Sequence, residues 1–190
     1  YGSRILSQAF SVRINLAFGR LKGDESKYSE PDYRQQRNFA FTSPVAEVSG
    51  LLVWNVLGLK QNAVGIVNFT PYVFAGAGYS FIKVKRDFSR FNASHFGSTS
   101  EVATGLDEDI AVAPPRSIPV IPVGIGVRYG ISPKLSFTIE STYRHTFTDY
   151  LDGFSRAANP DLRDSYHSHT VGLIFAFGNK DKLGCPPVKP

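Results

Sequence analysis

Apolar and polar residues alternate with a period of two along most of this chain, which marks strands rather than helices. The clearest run is Leu135 to Phe147. Leu135, Phe137, Ile139, Ser141, Tyr143 and Phe147 share one face, and Ser136, Thr138, Glu140, Thr142, Arg144 and Thr146 the other. Phe10, Val12, Ile14, Leu16 and Phe18 likewise oppose Ser11, Arg13, Asn15, Ala17 and Gly19. Further on, Val48, Leu52 and Trp54 oppose Glu47 and Ser49, and Val73, Ala75, Ala77, Tyr79 and Phe81 oppose Gly76, Gly78 and Ser80. Ile121, Val123, Ile125, Val127 and Tyr129 face away from Pro122, Gly124, Gly126 and Arg128, and Val171, Leu173, Phe175 and Phe177 make a sixth apolar face. Phe39 and Phe41 fall out of phase with Val48, which predicts a bulge near Ser43-Pro44.

Six strands of roughly 10 to 15 residues are longer than the usual 5 or 6 of soluble sheets and suit tilted membrane strands. Their connections alternate in length. Gly23 to Gln36, Arg86 to Ser117 and Asp149 to Ser165 are long and polar, Ile131 to Pro133 is a tight turn, and Val56 to Val67 is intermediate. Long loops at one end and short turns at the other are the pattern of outer-membrane barrels. The faces agree with it: one is bulky and ends in aromatics, and the other is rich in Gly, Ser, Thr and Ala with isolated charges. A small barrel in lipid turns the bulky face outward and fills its narrow lumen with the small one.

The expected fold is therefore all-β, a small transmembrane up-and-down antiparallel barrel over residues 1–178 with a periplasmic tail over 179–190. Such barrels need about 8 strands. The count of six predicts that one hairpin lies mostly upstream of Tyr1, with "YGSRIL" as the end of its second strand, and the absence of Met leads to the expectation of a processed or trimmed chain. Within the lumen, Glu47 and Glu140 can pair with Arg13, Arg128 and Arg144. That set reads as a plug of salt bridges in preference to a proton or ion path, because unpaired buried ions cost several kcal/mol.

Composition changes this picture little. No run of about 18 apolar residues exists to make a membrane helix. The formal charge of +5 is scattered, with no clustered basic face for nucleic acid. His145, His167 and His169 lie near one rim, where they face lipid phosphates or, less simply, bind a metal. A lipid hydrolase or acyltransferase would use them with Ser168 and Asp149, but Ser168 points opposite to His167 and His169. Asp107, Glu108 and Asp109 lack the ladder of a calcium loop and read as a solvated loop. Asp149 and Asp152 read as the point where a strand leaves the bilayer, with Gly153 helping the chain to turn. No cofactor, metal or small-molecule substrate is expected. The lone Cys185 rules out an internal disulfide and is either unpaired or bonded to another chain; Lys180, Lys182, Pro186 and Lys189 share its basic tail.

Several local runs bear a family likeness: "GRLKGD", "RNFAF" followed by "SPVAEVS", "FTPYVFAGAGYSF", "IPVGIGVRYGIS" and above all "RHTFTDYLDGFS". In these the chain resembles the PorG-type outer-membrane proteins of the type IX secretion system. Thr146, Asp149, Tyr150, Leu151 and Asp152 carry the specific run, and Gly153 stands where relatives often have another acid. The resemblance implies a non-enzymatic outer-membrane barrel that associates with the periplasmic ring of the lipoprotein PorK and its partner PorN and supports protein export. A tether through Cys185 to a ring subunit is the contact that the residues themselves suggest. The rival readings are a generic structural or adhesion barrel and an outer-leaflet lipid-modifying enzyme.

Overall fold

A computed structural model of the protein describes residues 1–58, 69–158 and 163–177. Antiparallel strands dominate it. They are β1 (Gly2–Ile5), β2 (Phe10–Asp24), β3 (Ala40–Asn55), β4 (Phe69–Ile82), β5 (Lys85–Asp87), β6 (Ser117–Gly130), β7 (Leu135–Thr146) and β8 (Ser165–Phe175). They form one 8-stranded sheet in the order β1-β2-β3-β4-β6-β7-β8, with the short β5 pairing the far end of β3. Three helices interrupt the long connections: α1 (Tyr33–Arg37), α2 (Ala93–Phe96) and α3 (Glu101–Ala111). No described helix is long and apolar enough to cross a membrane.

The alternation decides which way each side chain points. Outward residues are bulky and exposed: Phe18 is 82% and Val171 69% accessible, while inward Ser43 and Thr146 are at 0%. The ladder also staggers. One cross-strand row runs Phe10, Trp54, Val73, Ile125, Ser141, His169, from the turn end of β2 to the loop-end half of β8. Such a stagger accompanies the strand tilt of barrels. The sheet curls accordingly, so that side chains of β7 and β8 reach those of β2, β3 and β4. Among the described residues no pairing joins β1 to β8.

No bulge occurs at Ser43-Pro44. β3 pairs β2 in one unbroken register from Phe10↔Trp54 to Asp24↔Ala40. Phe39, Phe41, Ser43 and Val45 therefore point inward with Glu47 and Ser49. The apparent change of phase is a change of environment: the inner face is polar in the middle of the strand and apolar at the mouth, where loops cover it. β2 also continues to Asp24, into the start of the loop expected from Gly23.

The inner face holds more apolar bulk than the small residues alone promised. Leu51, Val53, Tyr72 and Phe74 form one cluster towards the turn end. Two glycines make room for its rings, because a Cβ on Gly124 would meet Phe74 at 2.4 Å and one on Gly126 would meet Tyr72 at 2.5 Å. These pairs face each other across β4 and β6. Gly126→Val should therefore lower stability by about 1–3 kcal/mol through overpacking. Gly19→Val, where a Cβ meets nothing within 4 Å, should cost less than a third of that in the same urea titration.

Candidate functional site

Two features stand out inside the curled sheet: an ion-paired layer in mid-lumen and a cap built from the three long loops. In the lumen, Arg13 of β2 donates from Nη1 to Glu140 Oε1 of β7 at 2.8 Å, and the Tyr72 hydroxyl donates to the same oxygen at 2.6 Å. Further along the same face of β7, Arg144 pairs through Nε with Glu47 of β3. Glu47 also accepts from Ser49 at 2.9 Å and Tyr166 at 3.2 Å, and Arg144 donates to Ser168 Oγ at 2.6 Å. Both pairs are almost wholly buried. Every carboxylate in them has several donors, which is what buried charge requires.

Four of the five expected lumen charges are thus brought into pairs, and Arg128 is not. Among the described residues no carboxylate lies within 4.0 Å of it. Its guanidinium instead sits 5.4 Å from the centre of the Tyr72 ring, a cation–π distance. The reason is positional: Arg128 is near the turn end of β6, below both glutamates, where Tyr72 is the polarisable surface within reach.

The cap begins where β7 ends. Thr146 is buried and donates to the Asp164 carbonyl at 2.6 Å. The chain then folds back over the barrel mouth. Leu151 is 5% exposed and packs against Val45, Ile82, Ile118 and Val120, with its carbonyl held by Ser43 Oγ at 2.8 Å. The run from Thr146 to Asp152 is therefore a stopper across the mouth, where the sequence suggested a simple exit from the bilayer. Gly153, with φ +90, makes the turn that follows.

The segment after Gly153 is held by α3. Asp109 is fully buried and its carboxylate accepts the backbone N–H groups of Ser155, Arg156 and Ala157 at 3.0–3.1 Å. This corrects the expectation of a solvated acidic loop at Asp107, Glu108 and Asp109: the residues are helical, and one of the three is the anchor for another loop. Arg86 of β5 completes the clamp by donating to the carbonyls of Asp109, Val112 and Gly153. Cations at a helix C-terminus are favoured by its dipole. The first loop joins through Arg37, which pairs with Glu25 and donates to the Ala157 carbonyl at 3.1 Å. Phe39 stacks on Phe154 with ring centres 4.3 Å apart, and Leu106 and Ala157 complete a small core.

Burial in this cap shifts its acids. Asp152 is pushed up to about 7, first by desolvation and then by the neighbouring Asp164 and Asp149 carboxylates, against the Phe154 N–H that it accepts. Asp149 and Asp164 are also raised, mainly by desolvation. Asp149 and Asp152, read from the sequence as the point where a strand leaves the bilayer, are half-buried because the chain returns over the mouth and takes them with it. Among the described residues no three His, Cys, Asp or Glu side chains gather into a group that could hold a metal ion.

With this geometry in view, the sequence profile described as "Domain of unknown function (DUF6089)" matches residues 5–181. The chain belongs to the DUF6089 family. No curated protein and no solved structure matches it.

In this DUF6089 chain the rim histidines occupy the outer side of the wall. Tyr143 lies 4.9 Å from His167 and His145 stacks edgewise on Phe147. Ser168 is on the inner side, bound to Arg144. Lys180, Lys182, Cys185, Pro186 and Lys189 lie outside the described residues. Arg86, Arg37 and Glu25 were not given a role from the sequence, and Asp109 was read only as one acid of a solvated loop, since nothing local marks a loop residue whose partners are more than ten positions away.

Two outcomes are expected. Glu140→Leu leaves the Arg13 guanidinium and the Tyr72 hydroxyl buried without their acceptor, and should destabilise the folded state by about 3–5 kcal/mol in urea unfolding. For the cap the sign follows from the raised carboxyls. The folded loop binds more protons than the unfolded one between the ordinary aspartate range and about 7, so its stability is greatest in acid and falls as pH rises through that window. Hydrogen exchange at 149–158 should accordingly show weaker protection at pH 8 than at pH 5, after correction for intrinsic rates. Asp152→Asn should flatten most of that difference.

Proposed function

We propose that this DUF6089 protein is a transmembrane barrel of the bacterial outer membrane that serves, without enzymatic activity of its own, in the type IX secretion system. One observation carries the membrane part. The outward positions of β3, β4, β6, β7 and β8 include no Asp, Glu, Lys or Arg, those of β2 include them only from Arg20 onward, and the short edge strand β1 adds Arg4 opposite Val12. Fully formed ion pairs meanwhile lie inside. This inversion suits a wall whose solvent is hydrocarbon and whose interior is filled by paired charge. Exposed Phe10, Trp54, Phe69 and Tyr129 at one end, and Phe18, Tyr79, Phe81 and Tyr143 towards the other, supply the interfacial aromatics.

The secretion role rests on the "TFTDYLD" run and the other motifs in which the chain resembles PorG-type proteins. On that reading the loop end is extracellular, the turn end faces the periplasm, and the partners are the ring proteins PorK and PorN. No small molecule or nucleic acid is required. The ordered cap gives a specific reason to keep a second reading, a structural or adhesion barrel, since pre-packed loops present a fixed surface.

Deletion of the gene separates the two. Export of cargo bearing a C-terminal sorting domain should be lost, and restored by the wild-type copy. Unimpaired export in the deletion strain would remove the secretion role and leave the adhesion reading.

A further inference from the structure

The cations at the loop-end rim of the wall are grouped by register. Cross-strand rows place Arg20 beside Pro44, whose carbonyl accepts the Lys83 N–H, and Lys22 beside Thr42, which pairs with Lys85. Arg20 and Lys83 thus flank one residue, as do Lys22 and Lys85 in the next row. With strands about 4.8 Å apart and same-face residues about 6.8 Å apart, the four side chains leave the sheet from a patch roughly 10 by 7 Å. All four are exposed, and among the described residues none lies within 4.0 Å of a carboxylate.

The row beyond them is acidic but already engaged. Asp24 accepts from the Ser26 backbone and hydroxyl and Asp87 from those of Ser89, and Arg90 lies 3.6 Å from Asp24. The row on the other side is Phe18, Ala46 and Phe81, with Tyr79 below. Four cations without a carboxylate within 4.0 Å therefore sit directly above an exposed aromatic row, at the level where an acyl chain would give way to its headgroup.

We propose that this patch binds the phosphate of an anionic lipid in the outer leaflet, with the acyl chains lying on Phe18, Tyr79 and Phe81. The inference rests on the membrane reading above. Cations so close repel one another, and a phosphomonoester carrying up to two charges relieves that repulsion while its chains cover the apolar row. Continuity of the two surfaces favours a lipid over an acidic protein, which would have no use for the aromatic row.

The test reconstitutes the purified chain into nanodiscs of phosphatidylcholine containing a minor fraction of either phosphatidic acid or lipid A, and counts co-released lipids by native mass spectrometry. The wild type should retain the phosphate lipid about tenfold above its share of the bilayer, an enrichment that a few interfacial cations can supply. The quadruple variant Arg20→Gln, Lys22→Gln, Lys83→Gln, Lys85→Gln should lose the enrichment, and the pair Lys27→Gln, Arg156→Gln, removed from this patch, should keep it. Wild type with no enrichment overturns the inference without needing any variant. Equal loss in both variants overturns it too, because the effect would then be net charge. Failure of the wild type to enter neutral nanodiscs would overturn the membrane reading and this inference together, whereas entry without lipid preference overturns the inference alone.

Discussion

Strand β7 holds the inside of this molecule together by presenting both signs of charge on one face. Glu140 reaches Arg13 on β2, and Arg144 reaches Glu47 on β3. Each pair spans the lumen, so each needs the sheet to be curled and specifies how far. Buried pairs contribute little net stability over apolar packing, but losing one partner is costly. They therefore penalise alternative registers: a shift of one residue would turn both charges of β7 outward, into a face that on β2, β3, β4, β6, β7 and β8 carries no other Asp, Glu, Lys or Arg until the rim.

The apolar clusters and the cap are arranged around that layer. Towards the turn end, Tyr72 links the packed rings to the pairs by donating to Glu140. Towards the loop end, Leu151 closes the mouth, and the stack of Phe39 on Phe154 continues the core outside the wall. Asp109 and Arg86 then fix the loops to one another. An interior filled by ion pairs under a fixed cap supports the proposal of a membrane part that others grip, with its outer surface as the working one.

Strand positions and facing were legible because a half-solvated strand imposes period two whatever the solvent. The pairing partners of Arg13, Glu47, Glu140 and Arg144 could be narrowed for the same reason: charges on an inward face have few places to go. The cap was not legible. Asp109 looks like any loop acid until Ser155–Ala157 fold onto it, and Leu151 looks like part of a polar exit until the chain doubles back. Phe39 and Phe41 misled in an informative way, since a change of surroundings along one continuous strand resembles a bulge when only the alternation is read.

Everything else in the functional account depends on the outward face being solvated by lipid. Spin labels at outward Ile125 and Val171 and at cap residue Ala158, on protein in phosphatidylcholine bilayers, measure this directly. Labels at 125 and 171 should collide readily with oxygen and hardly at all with a water-soluble nickel chelate, while the label at 158 shows the reverse. Free access of the nickel chelate to 125 and 171 would contradict the account.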